Sequence, residues 1–408
     1  MKALVLAGGF PQIALINELK NRNIEVVLAD YNEEPVAKKY ADIYYQVSTL
    51  DIDAITSVAK KENVDFLITA CTDQALLTVA CVSEKLGLPC YIDYKTALNV
   101  TNKAYMKSVF EEYGVPTARH VVMGEFDDSK ISHMKYPLIV KPVDCNSSKG
   151  VKKVYDIDQL KDAFEKAVNY SRTNTAVIEE FIAGVEISVD VYVEDGKANI
   201  LATSKSEKIA DENKFVIFRG GYPVKEAEEV KEQIRNTAQK IADAFGLKNT
   251  PMLIQLITDG ERINVLEFSA RTGGGVKYIL IKNASGFDVI KAVVDLTLGE
   301  KPHFEGLKPK AKYLLNEFIY CKEGVFDHLE GFEELKERNV IDDYYLFKWK
   351  GAAFSTVENS GDRVGAFTVC AQTEDELWEK HNIAAANIKV IGENGEDIMR
   401  HDLLVGRE

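Results

Sequence analysis

The sequence contains no apolar run long enough to cross a membrane, and Met1-Lys2 leads directly into a short apolar segment rather than a leader peptide. A soluble, cytoplasmic protein is the expectation. Positive charge is in deficit: 50 Lys and Arg stand against 64 Asp and Glu, a formal net charge of −14. Phosphate backbones attract basic surfaces, so neither a nucleic-acid partner nor a membrane partner is expected. The six cysteines (Cys71, Cys81, Cys90, Cys145, Cys321 and Cys370) form no CxxC pair, and the six histidines are dispersed. That pattern disfavours zinc and a disulfide framework and leaves reduced thiols. No Ser/His/Asp or Cys/His grouping marks a covalent nucleophile. Low-complexity tracts are also lacking, and 46% hydrophobic with 28% charged residues is ordinary globular composition.

What is present, over residues 1 to about 95, is alternation of strand and helix. Lys2 to Ala7, Ile24 to Ala29 and Asp65 to Ala70 are apolar runs, separated by helical stretches to Arg22 and over Ile52 to Lys61. Another helix is expected from Gln74 to Leu86. This reads as a doubly wound parallel unit, with ligands expected beyond the carboxyl ends of its strands, near Gly8-Gly9, Asp30 and Thr72-Asp73-Gln74. Gly8-Gly9-Phe10-Pro11-Gln12 lacks the GxGxxG spacing and is read as a structural turn. At 408 residues two or three domains are expected. A composition shift over Lys301 to Lys312 suggests a boundary, giving 1–95, 96–305 and 306–408. Residues 313 to 408 read as strands with one helix, Glu374 to Ala386, and no catalytic cluster.

The middle of the chain carries the chemistry. A helix is expected over Thr96 to Tyr113, in which Asn102-Lys103 opens a stretch ending at Gly114-Val115-Pro116. Lys141 ends the apolar run Pro-Leu-Ile-Val and is fixed by Pro142. Behind it Asn146-Ser147-Ser148-Lys149-Gly150 is a small-residue loop able to cradle phosphate. Glu179-Glu180 interrupts an apolar strand, and Glu186, Ser188 and Asp190 alternate with apolar residues in the next. The polar stretch Ser206 to Arg219 reads as a mobile lid or substrate loop.

Leu253 to Gly275 reads as a hairpin followed by a glycine run. Alternation puts Glu267, Ser269 and Arg271 on one face and Leu266 and Phe268 on the other. A three-residue turn at Asp259-Gly260-Glu261 with a bulge would bring Gln255 to the face of Glu267, whereas a two-residue turn would separate them. The hairpin alone is equally an amphipathic pair with a solvated face.

The ordered set of Lys103, Lys141, the Asn-Ser-Ser-Lys-Gly loop, Glu179 to Glu186, Gln255 and Glu267-Phe-Ser-Ala-Arg271 resembles the ATP-grasp superfamily of carboxylate–amine ligases. It looks closest to the carbamoyl-phosphate-synthase-like and L-amino-acid-ligase branch. The resemblance implies an α/β and α+β fold: an N-terminal doubly wound parallel-sheet domain, a two-part ATP-grasp domain whose smaller lid spans about 115–190, and a C-terminal biotin-carboxylase-like domain.

The same resemblance implies ATP and Mg²⁺ (or Mn²⁺) as cofactors. Lys103 and Lys141 would neutralise phosphates, and Ser147, Ser148 and Gly150 would close over them. Glu179 with the backbone of Glu180 and Ile182 would read adenine, and Glu186 would hold the ribose. Gln255, Glu267 and Ser269 would bind metal, although the family most often carries Asn where Ser269 stands. Arg271, with Lys141, would stabilise the transferring phosphoryl group. Asp73, Arg219, Gly273 and Gly274 are the candidate contacts to a small carboxylate and an amine, and such ligases are commonly homodimers. The alternatives are an ATP-grasp enzyme with another acceptor, bicarbonate or a nucleotide-precursor amine, and a non-catalytic ATP-binding regulatory protein.

Overall fold

The computed structural model describes residues 1–145, 149–209, 215–304 and 306–406. The chain opens with a four-stranded parallel sheet: β1 (Lys2–Leu6), β2 (Glu25–Asp30), β3 (Ile43–Gln46) and β4 (Phe66–Ile68), in the order β3-β2-β1-β4. β1, β2 and β4 are buried on both sides because helices cover both faces. These are α1 (Phe10–Asn21), α2 (Ile52–Glu62) and α3 (Asp73–Leu86). β3 is an addition to the three strands expected here; its half-buried IYYQ sequence is too short and too polar to read as a core strand.

The single helix expected over Thr96 to Tyr113 is two, α4 (Tyr94–Thr101) and α5 (Lys103–Tyr113). Asn102 is extended, and its side chain accepts from the Tyr105 amide, so it ends one helix and caps the next. Lys103 is the first residue of α5, at the head of a helix as expected.

A small antiparallel sheet follows: β5 (His120–Met123), β6 (Leu138–Pro142), β7 (Lys152–Val154) and β8 (Ala176–Glu180), in the order β5-β8-β6-β7. One short helix, α6 (Asp128–Ile131), and one long one, α7 (Ile157–Tyr170), accompany it. Helix α7 lays Leu160, Ala163, Phe164 and Ala167 onto Leu138, Val140 and Ile178 of the sheet.

The largest sheet has eight strands in the order β13-β12-β9-β10-β11-β14-β18-β16. Its first half comprises β9 (Val185–Glu194), β10 (Lys197–Lys208), β11 (Ile217–Tyr222), β12 (Thr250–Thr258) and β13 (Ile263–Ser269). Helices α8 (Lys225–Glu229), α9 (Lys231–Ala244), α10 (Lys277–Ser285) and α11 (Val289–Thr297) pack around it. The second half is β14 (Tyr313–Tyr320), β16 (Asp343–Leu346) and β18 (Arg363–Ala371), joined through the β11–β14 pairing. Beside them lie a three-stranded sheet of β15 (Gly324–Glu330), β17 (Ala353–Phe354) and β19 (Lys389–Gly392), and the helices α12 (Phe332–Glu337) and α13 (Glu374–Asn387). Among the described residues the C-terminal part thus holds two α-helices rather than one.

The loop expected from Ser206 to Arg219 is corrected. β10 runs on through Lys208, Arg219 belongs to β11, and residues 210–214 lie outside the described part. Cross-strand pairing with β9 overrides the polar composition, as partners on both sides satisfy the backbone.

Gly184 marks the entry to β9. Its φ is +149°, and a Cβ there would stand 2.4 Å from the Thr258 carbonyl oxygen, so only glycine allows the two strands this approach.

Candidate active site

Gln255 and Glu267 are direct cross-strand partners on β12 and β13. The route differs from the expected three-residue turn. Four residues, 259–262, separate Thr258 from its partner Ile263, and the register shifts further along, with Leu266 as the extra residue of a bulge. The bulge also corrects the expected alternation: Leu266 and Glu267 line the same cavity, while Phe268 is buried in the core behind the sheet.

That cavity, of about 340 Å³, lies between the small sheet and the large one. Lys103, Lys141, Glu179, Glu180, Ile182, Glu186, Gln255 and Glu267 all line it, with apolar walls from Ile139, Phe181, Ile257 and Leu266. Lys103 Nζ donates to the Cys145 carbonyl at 2.7 Å and lies 3.3 Å from Glu267 Oε2. Two lysines converge on the buried Glu179: Lys141 Nζ and Lys107 Nζ each lie 2.9 Å from its Oε1. Burial acts to raise the Glu179 pKa, but Lys141 and Lys107 overcome it and hold it down to about 2. Glu267 is likewise held below its ordinary value, against burial, by Lys103 and Lys141. Glu186 forms an ion pair with Lys208, which also lines the cavity. Gly150 is not among the lining residues. With φ +71°, it packs where a Cβ would meet Pro142 at 2.9 Å. Ser147 and Ser148 lie outside the described residues.

A second cavity, of about 430 Å³, opens on the other side of Gln255 and Glu267, which line both. Asp73, Arg271, Gly273 and Gly274 line it, as do Lys277, Asn316, Lys348 and Arg363. Asp73, the first residue of α3, holds Arg271 bidentately, with Nε at 2.8 Å from Oδ1 and Nη2 on Oδ2. Burial works to raise the Asp73 pKa; the Arg271 charge and its hydrogen bonds, helped by the Ser269 hydroxyl, bring it below the ordinary value. Ser269 lines neither cavity.

Arg219, expected at the substrate, is elsewhere. It is 4% exposed, pairs with Glu317, and donates to the Val405 carbonyl at 3.0 Å beside the buried His381. Its neighbour Gly220 faces the second cavity, so strand alternation turns Arg219 away.

Arg363 was not anticipated. It opens β18, its guanidinium lies 3.6 Å over the Phe318 ring, and it donates to Tyr320 Oη at 2.8 Å and the Ile217 carbonyl at 2.9 Å. It is 9% exposed, and among the described residues no carboxylate pairs with it. One charge heading an otherwise apolar RVGAFTVCA strand was the available signal. Lys107, also missed, stands four residues after Lys103 on one helix face.

For a divalent cation the candidates are the Gln255 amide oxygen and the Glu267 carboxylate, both hard donors. Among the described residues no group of three His, Cys, Asp or Glu could hold a metal alone. The donor set therefore fits an ion such as Mg²⁺ that completes its shell with substrate phosphates and water.

A nucleotide-sized cleft between a small antiparallel sheet and a large one, preceded by a parallel α/β unit, defines the ATP-grasp fold. The family model described as ATP-grasp domain matches residues 134–279. Phosphoribosylamine–glycine ligase of Lactococcus lactis is 25% identical over 324 residues, 76% of this chain and 77% of that one. The crystal structure of L-amino acid ligase from Bacillus licheniformis superposes with a TM-score of 0.79 at 20% identity, covering 96% of this chain and 99% of the other. The biotin carboxylase domain of Hydrogenobacter thermophilus 2-oxoglutarate carboxylase, in complex with MgADP, ADP and bicarbonate, gives 0.81 at 17% identity, covering 99% and 92%. Residues 134–279 thus match an ATP-grasp domain, and the relatives and structural neighbours of the chain include ATP-grasp ligases that form C–N bonds. Among the described residues no helix is long and apolar enough to cross a membrane.

Proposed function

We propose that this enzyme uses ATP to activate a small carboxylic acid, an amino acid, and joins it to an amine through an acyl phosphate. The observation that carries the reading is that two cavities meet at Gln255 and Glu267, so a nucleotide on one side and an acid on the other would have their reacting atoms adjacent. In the first cavity Glu179, with the backbone of Glu180 and Ile182, takes the adenine, Glu186 takes the ribose, and Lys103 and Lys141 meet the phosphates. Gln255 and Glu267, with Ser269 nearby, would hold Mg²⁺, which when bound offsets charge on the phosphate oxygens.

A carboxylate oxygen of the acid attacks the γ-phosphorus, the bond to the β-phosphate oxygen breaks, and ADP leaves. The amine nitrogen then attacks the acyl carbon, phosphate departs with the bonding electrons, and the amine proton passes to solvent. Arg271, held in place by Asp73, stabilises charge on the transferring group. The acid occupies the second cavity against Gly273 and Gly274, and its distal anionic group reaches Arg363. A cytoplasmic enzyme fits this use of ATP.

Arg363 together with Lys348 also favours a second reading, in which the amine carries a phosphate. Phosphate release from MgATP across a matrix of amino acids, singly and in pairs and with phosphorylated amines added, decides between them. Release that needs one pair, with a mass equal to the condensed product, is the expected result. ATP binding with no acid or amine stimulating release would defeat both readings.

A further inference from the structure

Two buried lysines sharing one carboxylate oxygen is more positive charge than Glu179 needs for neutrality. Only one of the two can reach a ligand. Lys141 lines the first cavity, whereas Lys107 is 1% exposed and does not. Lys107 is tethered from behind: its Nζ donates to Thr117 Oγ1 at 2.5 Å, and that hydroxyl spends its own proton on the Val265 carbonyl at 2.8 Å. The arrangement is costly, since a second desolvated cation sits against the first. A purely structural need for a counter-ion to Glu179 would be met by Lys141 alone.

We infer that Lys107 is a positioning residue that keeps Glu179 ionised while Lys141 leaves it for the phosphates of the nucleotide. The inference rests on the reading of the first cavity as the ATP site. Phosphate oxygens entering the cavity compete with Glu179 for Lys141, and Lys107 cannot follow. Without Lys107, the departure of Lys141 would strand a buried carboxylate, which would take up a proton instead. The charged groups around Glu179 are few. Lys107 comes from α5 and Lys141 from β6. His120, opposite Glu179 on β5, turns its Nε2 to within 3.8 Å of Glu111, and Glu267 on β13 is paired with Lys103.

The test is calorimetric titration of a non-hydrolysable ATP analogue with Mg²⁺, at pH 7, in two buffers of different ionisation enthalpy. The proteins are the wild type, Lys107→Met, Lys107→Arg, Glu179→Gln and the double variant K107M/E179Q. Lys107→Met should bind on the order of tenfold to hundredfold more weakly. It should also take up close to one more proton on binding than the wild type. Lys107→Arg, which keeps the charge, should bind like the wild type. In the Glu179→Gln background, removing Lys107 should cost nothing, because no carboxylate remains to be compensated. Wild-type affinity without proton uptake in Lys107→Met would overturn the inference, as would equal weakening in Lys107→Arg or a weakening that persists beside Glu179→Gln. If Lys107→Met does not fold, the arginine variant and the pair in the glutamine background still decide. Failure of the wild type itself to bind the analogue would instead defeat the reading of the first cavity.

Discussion

Two of the carboxylates buried near this site have surroundings that push them in opposite directions. Glu179, under the first cavity, has two lysine nitrogens at 2.9 Å and is held down to about 2. Asp190, on β9 under Lys277 of the second cavity, is 1% exposed, and among the described residues neither oxygen has a hydrogen-bond partner within 3.5 Å and Lys277 approaches to 3.8 Å. Burial there outweighs Lys277 and Arg271, and the pKa is pushed up to about 6. Burial alone penalises both charges equally in kind. What decides the sign is whether cations reach contact distance, because Coulomb energy in a poorly screened interior falls steeply with the first ångström lost. The first cavity is thus electrostatically complete on its floor, while the second keeps in Arg363 a positive charge that no carboxylate pairs among the described residues.

The largest effect should come from the residue between the two regions. Arg271→Met is expected to lower kcat on the order of 10²- to 10³-fold with nucleotide affinity nearly intact, as measured by steady-state phosphate release and analogue binding. Next, the cavities should separate kinetically. Arg363→Met should raise the KM of the acid by about tenfold to hundredfold and leave that of ATP alone, while Lys141→Met should do the reverse. Equal effects of both variants on both substrates would erase the distinction between the cavities.

The smaller effects concern stability. Asp190 binds its proton more tightly folded than at its ordinary value of 3.8, so folding loses stability as pH rises from about 4 to 6 and stays lower above. Asp190→Asn should therefore stabilise the enzyme by roughly 1–3 kcal/mol at pH 7.5, and not at pH 4, in urea melts. Glu179 has the opposite sign. Its contribution is complete above its ordinary value of 4.5 and is lost as pH falls from there towards 2. Acid titration of the wild type against Glu179→Gln should show the shallower loss in the variant.

Residues whose place at a cavity is carried by local order were legible. The run from Lys141 to Pro142, the pair Glu179-Glu180, and Glu267 to Arg271 declare themselves through charged residues in or just beyond apolar strands, and the sheets hold Lys141, Glu179, Glu180 and Glu267 on cavity walls, with Arg271 two residues past the end of β13. Arg219 misled because a loop was expected where β10 and β11 pair, and strand alternation then turned its side chain to Glu317. Arg363 escaped because its meaning depends on β18 lying beside β14 in a sheet that continues across the region expected as a domain boundary. Lys107 looked like any helical lysine. Only the approach of β8 to α5 gives it a carboxylate.

By itself, then, the sequence determined the alternating, parallel start of the chain and the chemical kinds gathered at the first cavity, since periodicity and residue type are local properties. The tertiary structure alone decided which charges meet. The bulge at Leu266 aligned Gln255 with Glu267, the eight-stranded sheet brought Arg363 to the second cavity, and packing set Glu179 and Asp190 in opposite charge environments. Distances of an ångström between groups far apart in the chain govern those outcomes, and no local pattern encodes them.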